Sequence, residues 1–274
     1  MAIQRAANRI GRARHALTRT VCHHCGVKLK KTTAPPTDGG AIPASWLPFR
    51  YREPWVDPFV AKALAGLRPG ACVLDVGSGA RPAIARELLP EGCKYVGLDI
   101  SGEELDRARP GAYDEMLVGD ISARQASTEG RFDLVVSWQV LEHVTSMRDA
   151  LRTQHAALVP GGRMVAMLSG AWAMHAVAAR VIPYRASRWL QMRLIGSAPE
   201  DKFPTKFDRC TYRSLHRLLA GDGWASWEVV PLYRSGDYLS FLPPLQRAYM
   251  VYENWAARGR RVNLASHYIV DAVA

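Results

Sequence analysis

The sequence lacks a long uninterrupted apolar run and has few cysteines. Its longest apolar stretch, residues 164–182, is broken by Gly170, His175 and Arg180, so it would make a poor membrane span. No apolar run follows the arginines near residue 1, which argues against a secretory signal. We therefore expect a cytoplasmic protein in a reducing setting, whose five cysteines are thiols.

Acidic side chains are absent from the first 31 residues, which carry eight basic ones. Residues 1–68 hold 12 lysines and arginines against three acids, whereas the remaining chain is nearly balanced, with 24 against 22. The net charge of +11 is thus local and says little about the partner of the main domain. We interpret residues 1–40 as a basic arm. Three roles for this arm stay open: it contacts anionic lipid or nucleic acid, it targets the protein to an organelle, or it has no role.

The arm contains two thiols at the spacing of a zinc half-site. Cys22 and Cys25 enclose two histidines, but a structural zinc needs four ligands and the other three cysteines form no second pair. We predict an unliganded arm. A zinc site completed by His23 or His24 and a partner chain is the alternative.

From about residue 70, short β-branched runs alternate with helical stretches, a pattern typical of a parallel α/β sheet. Ser101 and Ser146 have the spacing of helix caps. Helices are predicted at 82–89, 103–108 and 147–158, from about residue 211, and briefly after Ser122. The predicted strands are 72–76, 95–99, 115–118, 134–137, 164–168, 227–232 and 264–270.

Two long intervals interrupt this alternation, at about 169–208 and 232–263. Residues 169–260 hold 14 of the 24 aromatic side chains, more than their share of the length. Long excursions beside a sheet are commonly binding lids. We therefore predict one domain over residues 41–274, with two substrate-lid insertions.

Residues 73–79, Val-Leu-Asp-Val-Gly-Ser-Gly, indicate a buried strand that runs into a glycine turn. Gly77 and Gly79 would let the backbone approach a ligand where open α/β sheets bind nucleotides. Pro82 at the sixth fingerprint position argues against NAD, and so does Asp75, whose carboxylate would repel a pyrophosphate. A cationic ligand, such as the sulfonium and ammonium groups of S-adenosylmethionine, would instead be attracted.

Three acids end three successive predicted strands. Asp99 ends the second strand, 24 residues after Asp75, where a carboxylate can accept both ribose hydroxyls. Asp120 follows the third strand and is placed to accept the adenine amino group. One aspartate at a strand end is usually a turn or cap residue, but three of them around a glycine turn favour a cofactor site.

These motifs resemble those of the class I S-adenosylmethionine-dependent methyltransferases, of the small-molecule, methyltransferase type 11 kind. Residues 75–79 are similar to their cofactor loop, with Arg81 in place of a frequent third glycine, and residues 137–144 and 158–162 to their fourth-strand segment and the turn before the fifth strand. The resemblance implies a Rossmann-like, doubly wound, mostly parallel seven-stranded α/β sheet with an antiparallel last strand. The implied cofactor is S-adenosylmethionine, with S-adenosylhomocysteine as product. The residues implied to bind it are Asp75, Gly77, Ser78, Gly79, Asp99, Ile100, Asp120, Ile121 and Trp138.

Transfer of a methyl group to an acidic hydroxyl needs alignment, exclusion of water and a positioned base. His143 is the predicted base, because it ends the Gln-Val-Leu-Glu-His run beside the expected methyl site and titrates near neutrality. A histidine that only holds the loop is the alternative. Glu142 is predicted to orient His143 or to contact the acceptor. Quinone-biosynthesis O-methyltransferases carry a similar run with Glu in place of Gln139, and since an amide is a poor Mg²⁺ ligand we expect no metal.

Missing motifs narrow the choice of acceptor. The Asn/Asp-Pro-Pro-aromatic loop of enzymes that methylate amide or nucleobase nitrogens is absent, and no cysteine lies in the fourth-strand loop. We predict O-methylation of a small molecule or of a glycan- or lipid-linked acceptor. The alternatives are RNA or protein methylation that uses the basic arm, or cofactor binding without turnover.

Residues 242–261 combine apolar and basic side chains at helical spacing. Such a helix either packs on the sheet or lies on an anionic membrane as a peripheral contact. Both possibilities stay open from the sequence.

Overall fold

One seven-stranded mixed sheet forms the centre of the protein. The computed structural model describes residue 51 and residues 56–174, 176–177, 204–239 and 242–274. The strands are β1 (Cys72–Val76), β2 (Lys94–Asp99), β3 (Glu115–Val118), β4 (Phe132–Trp138), β5 (Leu158–Ser169), β6 (Ser226–Leu232) and β7 (His267–Val273). Their order is β3-β2-β1-β4-β5-β7-β6, and β7 lies antiparallel to both of its neighbours. The predicted sheet with an antiparallel last strand is confirmed.

Five helices and three 3₁₀ turns are described. The helices are α1 (Asp57–Leu64), α2 (Gly102–Asp106), α3 (Met147–Ala157), α4 (Tyr212–Gly221) and α5 (Pro243–Arg258), and the 3₁₀ turns are Arg86–Leu88, Gly236–Leu239 and Val262–Leu264. The Ser101 hydroxyl accepts the N–H of Glu104 at the start of α2, and the Ser146 hydroxyl accepts that of Asp149 at the start of α3. Both predicted caps are therefore confirmed.

Both faces of the sheet are covered, as in a doubly wound fold. Alternate β1 residues point to opposite faces. Leu74 and Val76 join the buried cluster that contains the inner sides of α3 and α4, whereas Val73 joins the cluster that contains Phe59 and Ala63 of α1. The inner residues of β1, β2 and β4 are mostly apolar because both faces of the sheet are covered there, whereas the edge strand β3 is partly exposed.

The predicted helix at 82–89 is wrong. Ala85 has an extended backbone (φ −59°, ψ 131°), and only the 3₁₀ turn Arg86–Leu88 follows before Pro90. Ile84 is buried in the core, and its N–H donates to the Tyr95 hydroxyl rather than to a helix cap. Anchoring of this segment to β2 therefore replaces helix formation.

Other bounds also differ from the sequence-based expectation. The segment after Ser122 forms turns instead of a helix. The last strand begins at His267, not at residue 264, because residues 262–264 form a 3₁₀ turn whose Leu264 N–H donates to Arg261.

The predicted arm, residues 1–40, lies outside the described residues, and so do Cys22, His23, His24 and Cys25. Most of the first predicted lid, 169–208, also lies outside them, whereas the second, 232–263, contains α5. One face of α5 packs against the 3₁₀ turns Gly236–Leu239 and Val262–Leu264. Among the described helices, none is long and apolar enough to span a membrane. That these intervals act as lids stays a prediction.

Candidate active site

The loops that follow β1, β2, β3 and β4 meet at one edge of the sheet. These strands are parallel and hydrogen-bonded side by side, so their carboxyl ends face the same direction. Open α/β sheets bind their ligands at this edge. The structure brings most of the predicted site residues together here.

Asp75 lies within β1 and is almost fully buried. Its Oδ2 accepts the Ala83 N–H at 2.7 Å and lies 2.8 Å and 3.2 Å from the hydroxyls of Tyr95 and Tyr113. Its Oδ1 has no hydrogen-bond partner. Burial disfavours the charged form and raises the pKa of Asp75 to about 7, even though these three donors act to lower it.

Gly77 is required for a protein contact, and that it also lets a ligand approach stays a prediction. Its φ is +66°, and a Cβ there would lie 2.2 Å from Cγ2 of Val140. The loop after β4 thus occupies the space that the missing side chain leaves. The cofactor loop and the loop that carries Glu142 and His143 are therefore in direct contact.

Asp99 is held by backbone donors on both sides. Its Oδ2 accepts the Gly79 N–H at 2.8 Å, and its Oδ1 accepts the Ser101 N–H at 2.9 Å. Ser78, which precedes Gly79, is buried, and its Oγ would lie 2.9 Å from a Cβ on Gly97. This arrangement fixes the orientation of the Asp99 carboxylate at the mouth of the glycine turn.

The residues after β2 and β3 divide between surface and core. Ile100 is 58% exposed beside Asp99, and Asp120 is exposed with its Oδ1 accepting the Ser122 N–H. Ile121, in contrast, is buried in the main core cluster. Trp138 is half-buried and packs edge-on against Phe59 of α1, with ring centroids 4.9 Å apart. Ile100 and Asp120 are thus accessible to a ligand, whereas Ile121 contributes mainly to packing.

A buried polar cluster joins the ends of β4 and β5. Gln139 has a left-handed backbone (φ +57°), and its N–H donates to the Met167 carbonyl at 2.7 Å. The Ser169 hydroxyl donates to Oε1 of Gln139 at 2.8 Å, and the Ser169 N–H donates to Oε1 of Glu142 at 3.2 Å. Non-glycine residues in this backbone region are strained and often mark functional sites.

His143 is half-buried, and its backbone N–H donates to the Val140 carbonyl at 2.9 Å. The carbonyl of the preceding residue, Glu142, accepts the N–H groups of Lys206 and Phe207 at 2.8 Å and 2.9 Å. The predicted catalytic residues therefore lie between the cofactor loop and the chain that leads into α4.

Several residues of this region were not identified from the sequence. Tyr95 and Tyr113 hold Asp75, and Val140 fills the space beside Gly77. Ser169 faces the buried His267 in the β5–β7 register. These contacts depend on the sheet order and on strand register, which residue types along the chain do not indicate. Among the described residues, no group of three or more His, Cys, Asp or Glu side chains is suited to hold a metal ion.

Residues 49–229 match the protein family described as a methyltransferase domain. The chain is 31% identical to a ubiquinone biosynthesis O-methyltransferase of Rhodopseudomonas palustris (strain BisB18) over 71% of this chain and 73% of that protein. It is 31% identical to the ubiquinone/menaquinone biosynthesis C-methyltransferase UbiE of Shewanella sp. (strain ANA-3), over 38% of this chain and 45% of that protein. The chain thus spans less than half the length of this second relative.

One solved structure, a complex between the Haloferax volcanii Trm112 methyltransferase activator and a methyltransferase, matches with a TM-score of 0.53 and 17% identity. The match covers 82% of this chain and 91% of that one, and at this identity it shows the fold alone. The sheet, the glycine turn and the acids at its edge define a class I methyltransferase whose cofactor is S-adenosylmethionine. The chain belongs to the methyltransferase-domain family.

The residues present fit this cofactor. Asp99, held in place by two backbone N–H groups, has lone pairs left for ribose hydroxyls, and the exposed Ile100 offers an apolar surface for a base. Asp120 is exposed where an amino group could donate to it. The Oδ1 of Asp75, buried without a partner, favours a positive charge nearby. Which of these residues touch the cofactor stays a prediction.

Proposed function

We propose that this enzyme methylates an oxygen of a small molecule or of a glycan- or lipid-linked acceptor in the cytoplasm, with His143 as the base. The observation that carries the proposal is the contact of Val140 with Gly77, which places the His143 loop directly against the cofactor loop. The similarity to a ubiquinone biosynthesis O-methyltransferase supports an acidic, phenol-like hydroxyl as acceptor.

Bound S-adenosylmethionine supplies a methyl group that is electrophilic because it is attached to a sulfonium. In the proposal, Asp99 and Asp120 would hold the polar groups of the adenosine and Ile100 would contact its base. Asp75 lies in β1 just before the glycine turn, and its carboxylate would stabilise positive charge on the ligand. These residues would hold the ligand at the edge of the sheet that also carries the loop after β4.

His143 would take the proton of the acceptor hydroxyl at one of its ring nitrogens as the bond from oxygen to the methyl carbon forms and the bond from that carbon to the sulfonium sulfur breaks, with S-adenosylhomocysteine as the leaving group. Ser169 fixes the two side chains that flank this step, Gln139 and Glu142, through its hydroxyl and its N–H. The two hydrogen bonds from residues 206–207 to the Glu142 carbonyl hold that segment over the loop. Such coverage would exclude water, which competes as acceptor.

Replacement of His143 tests the proposed base. With the full chain, radiolabelled S-adenosylmethionine and catechol or phenol acceptors derived from quinone precursors, we expect His143→Gln to lower kcat about 10²- to 10⁴-fold, with a smaller effect on cofactor affinity. His216→Gln is the matched control, because His216 lies on α4 and bonds the Trp227 indole. A kcat that is unchanged in His143→Gln would exclude this role.

The acceptor class is tested separately with cell extract. Labelled product is sorted into lipid, glycan, small-molecule, RNA and protein fractions, and mass spectrometry of the product distinguishes methoxy from C-methyl groups. The proposal predicts a methoxy product in a small-molecule, glycan or lipid fraction. Label in RNA or protein alone would favour the alternative in which the basic arm binds a macromolecule.

A further inference from the structure

Helix α5 has an outer face that is apolar and accessible. Gln246, Met250, Glu253 and Ala256 are buried on its inner side. On its outer side, Leu245 is 46% exposed, Val251 is 67% exposed and Trp255 is 50% exposed, and Leu242 just before the helix is 46% exposed. These residues make up nearly half of the large apolar side chains that are exposed in the described part of the chain.

The exposed charged side chains that the structure describes on α5 and in the turn after it are positive. Arg247, Arg258 and Arg260 are exposed. The only acid of the helix, Glu253, is buried, where it accepts the Ser235 N–H at 2.6 Å and the Tyr51 hydroxyl. The helix therefore presents an apolar strip bordered by arginines.

Trp255 is held at the edge of this strip. The guanidinium of Arg261 lies 3.6 Å from the centroid of its ring and donates to its backbone carbonyl at 2.9 Å. Tyr252 lies beside it, with ring centroids 5.8 Å apart. An indole bordered by a guanidinium is amphipathic in the way that suits a water–lipid interface.

The charge of the remaining segments of this chain argues against them as binding partners for the outer face of α5. Residues 1–50 carry nine basic side chains against one acid, and residues 178–203 carry five against two. Both segments would be repelled by the arginines of α5, and a second copy of the same face would be repelled too. The partner of this face should be anionic and should also have an apolar interior that the aliphatic side chains can enter. A nucleic acid is anionic but offers little apolar surface to aliphatic side chains.

We propose that the outer face of α5 binds the surface of an anionic lipid bilayer. Leu242, Leu245 and Val251 enter the boundary between headgroups and acyl chains, and Arg247 and Arg258 contact the anionic headgroups. We infer that this contact brings the active site to a lipid-linked acceptor, and that part rests on the proposed function. The binding of α5 to lipid does not depend on it. The buried pair of Tyr51 and Glu253 fixes the orientation of the helix.

Co-sedimentation of the full chain with vesicles tests the proposal, without S-adenosylmethionine or acceptor, so that failure of the proposed function would not affect the result. We expect binding to phosphatidylcholine vesicles that contain about one third phosphatidylglycerol, weaker binding to phosphatidylcholine alone, and loss of binding at high salt. Arg247→Gln/Arg258→Gln should lower the partition coefficient by about tenfold or more. Leu245→Ser/Val251→Ser should lower it by a similar factor.

The control variant is Arg68→Gln/Arg124→Gln, which removes two exposed positive charges outside α5 and should bind like the wild type. Circular dichroism and thermal unfolding of each variant establish that it is folded. Wild-type affinity in both α5 variants, as expected if the basic arm alone binds lipid, would overturn the proposal. The proposal would also be overturned if both α5 variants lowered the affinity for RNA but left vesicle binding unchanged. It would be overturned too if the wild type were a dimer that both α5 variants dissociate.

Discussion

At the scale of single residues, the Asp75 carboxyl responds most directly to its surroundings. Burial raises its pKa from the ordinary value near 4 to about 7. Between these two values the native state binds a proton that the unfolded chain has released. The free energy of unfolding therefore falls as the pH rises from about 4 to about 7. The stabilisation that protonated Asp75 provides, relative to its charged form, is fully present only below about pH 4.

Asp75→Asn should remove this pH dependence, because the amide oxygen still accepts from Tyr95 and Ala83 but carries no charge at any pH. Urea unfolding at a series of pH values measures it, and each unit of pKa shift corresponds to about 1.4 kcal/mol. Asp133→Asn, which changes an exposed carboxylate that accepts the Cys72 N–H, is the control. A pH slope in Asp75→Asn equal to that of the wild type would refute the assigned burial.

Gly77 tests the contact between the two loops. In Gly77→Ala the new Cβ meets Val140 and the backbone keeps a positive φ, so we expect a loss of about 2–4 kcal/mol in the free energy of unfolding. Gly111→Ala is the matched control, since Gly111 has φ +78° with nothing within 4 Å. Val140→Ala should partly rescue Gly77→Ala in a double-mutant cycle. Equal losses in Gly77→Ala and Gly111→Ala would show that no close contact exists.

At the scale of elements, an ion-pair network joins β5, β7 and α1. Arg163 donates to both carboxylate oxygens of Asp271 at 2.6 Å, and to the Ala65 carbonyl after α1 at 2.7 Å. Lys62 lies 3.5 Å from Asp271. Burial acts to raise the pKa of Asp271, but the bonds from Arg163 and the two positive charges lower it overall. This network secures the antiparallel strand to the parallel part of the sheet.

Arg163→Gln should cost about 2 kcal/mol in the free energy of unfolding at neutral pH. Because the native pKa of Asp271 is lowered, the contribution of the network is present above the unfolded pKa near 4 and is lost as the pH falls below it. The difference between variant and wild type should therefore shrink in acid. Arg124→Gln, in a solvent-exposed surface pair with Glu129, should change the free energy of unfolding little. A difference that stays constant down to acidic pH would contradict this account.

The elements that the sequence predicted well are those whose signals are local. The strands at 72–76 and 115–118 have the expected bounds, because a short run of mainly apolar residues indicates a strand without reference to its neighbours. The helix predicted at 82–89 was wrong for the opposite reason. Its Ile84 is drawn to Tyr95 of β2, and a contact between distant residues outweighs local helix preference.

At the scale of the whole molecule, the same division applies to the site. The acids at the strand ends and the glycine turn were predicted, since the parallel α/β pattern alone places them at one edge. The Val140 contact with Gly77 and the Ser169 register with His267 were not, because both depend on how the loops and β7 pack. Three-dimensional packing thus determines how the predicted residues are held.

Charge is also organised over the whole molecule. The excess of basic side chains lies in residues 1–68 and around α5, whereas the cofactor edge carries Asp75, Asp99 and Asp120. A cationic cofactor is favoured at the acidic edge, and anionic surfaces are favoured by the basic regions. The cofactor edge and the proposed lipid-binding face of α5 thus differ in the sign of their charge.

Calorimetric titration of S-adenosylmethionine into the full chain tests the central claim most directly. We predict one site per chain in the wild type, and about a tenfold or greater loss of affinity in Asp99→Ala, because the ribose would lose its charged acceptor. Asp106→Ala, at an exposed carboxylate of α2, should bind like the wild type. Absence of binding by the wild type, or undiminished affinity in Asp99→Ala, would contradict the assignment of this edge as the cofactor site.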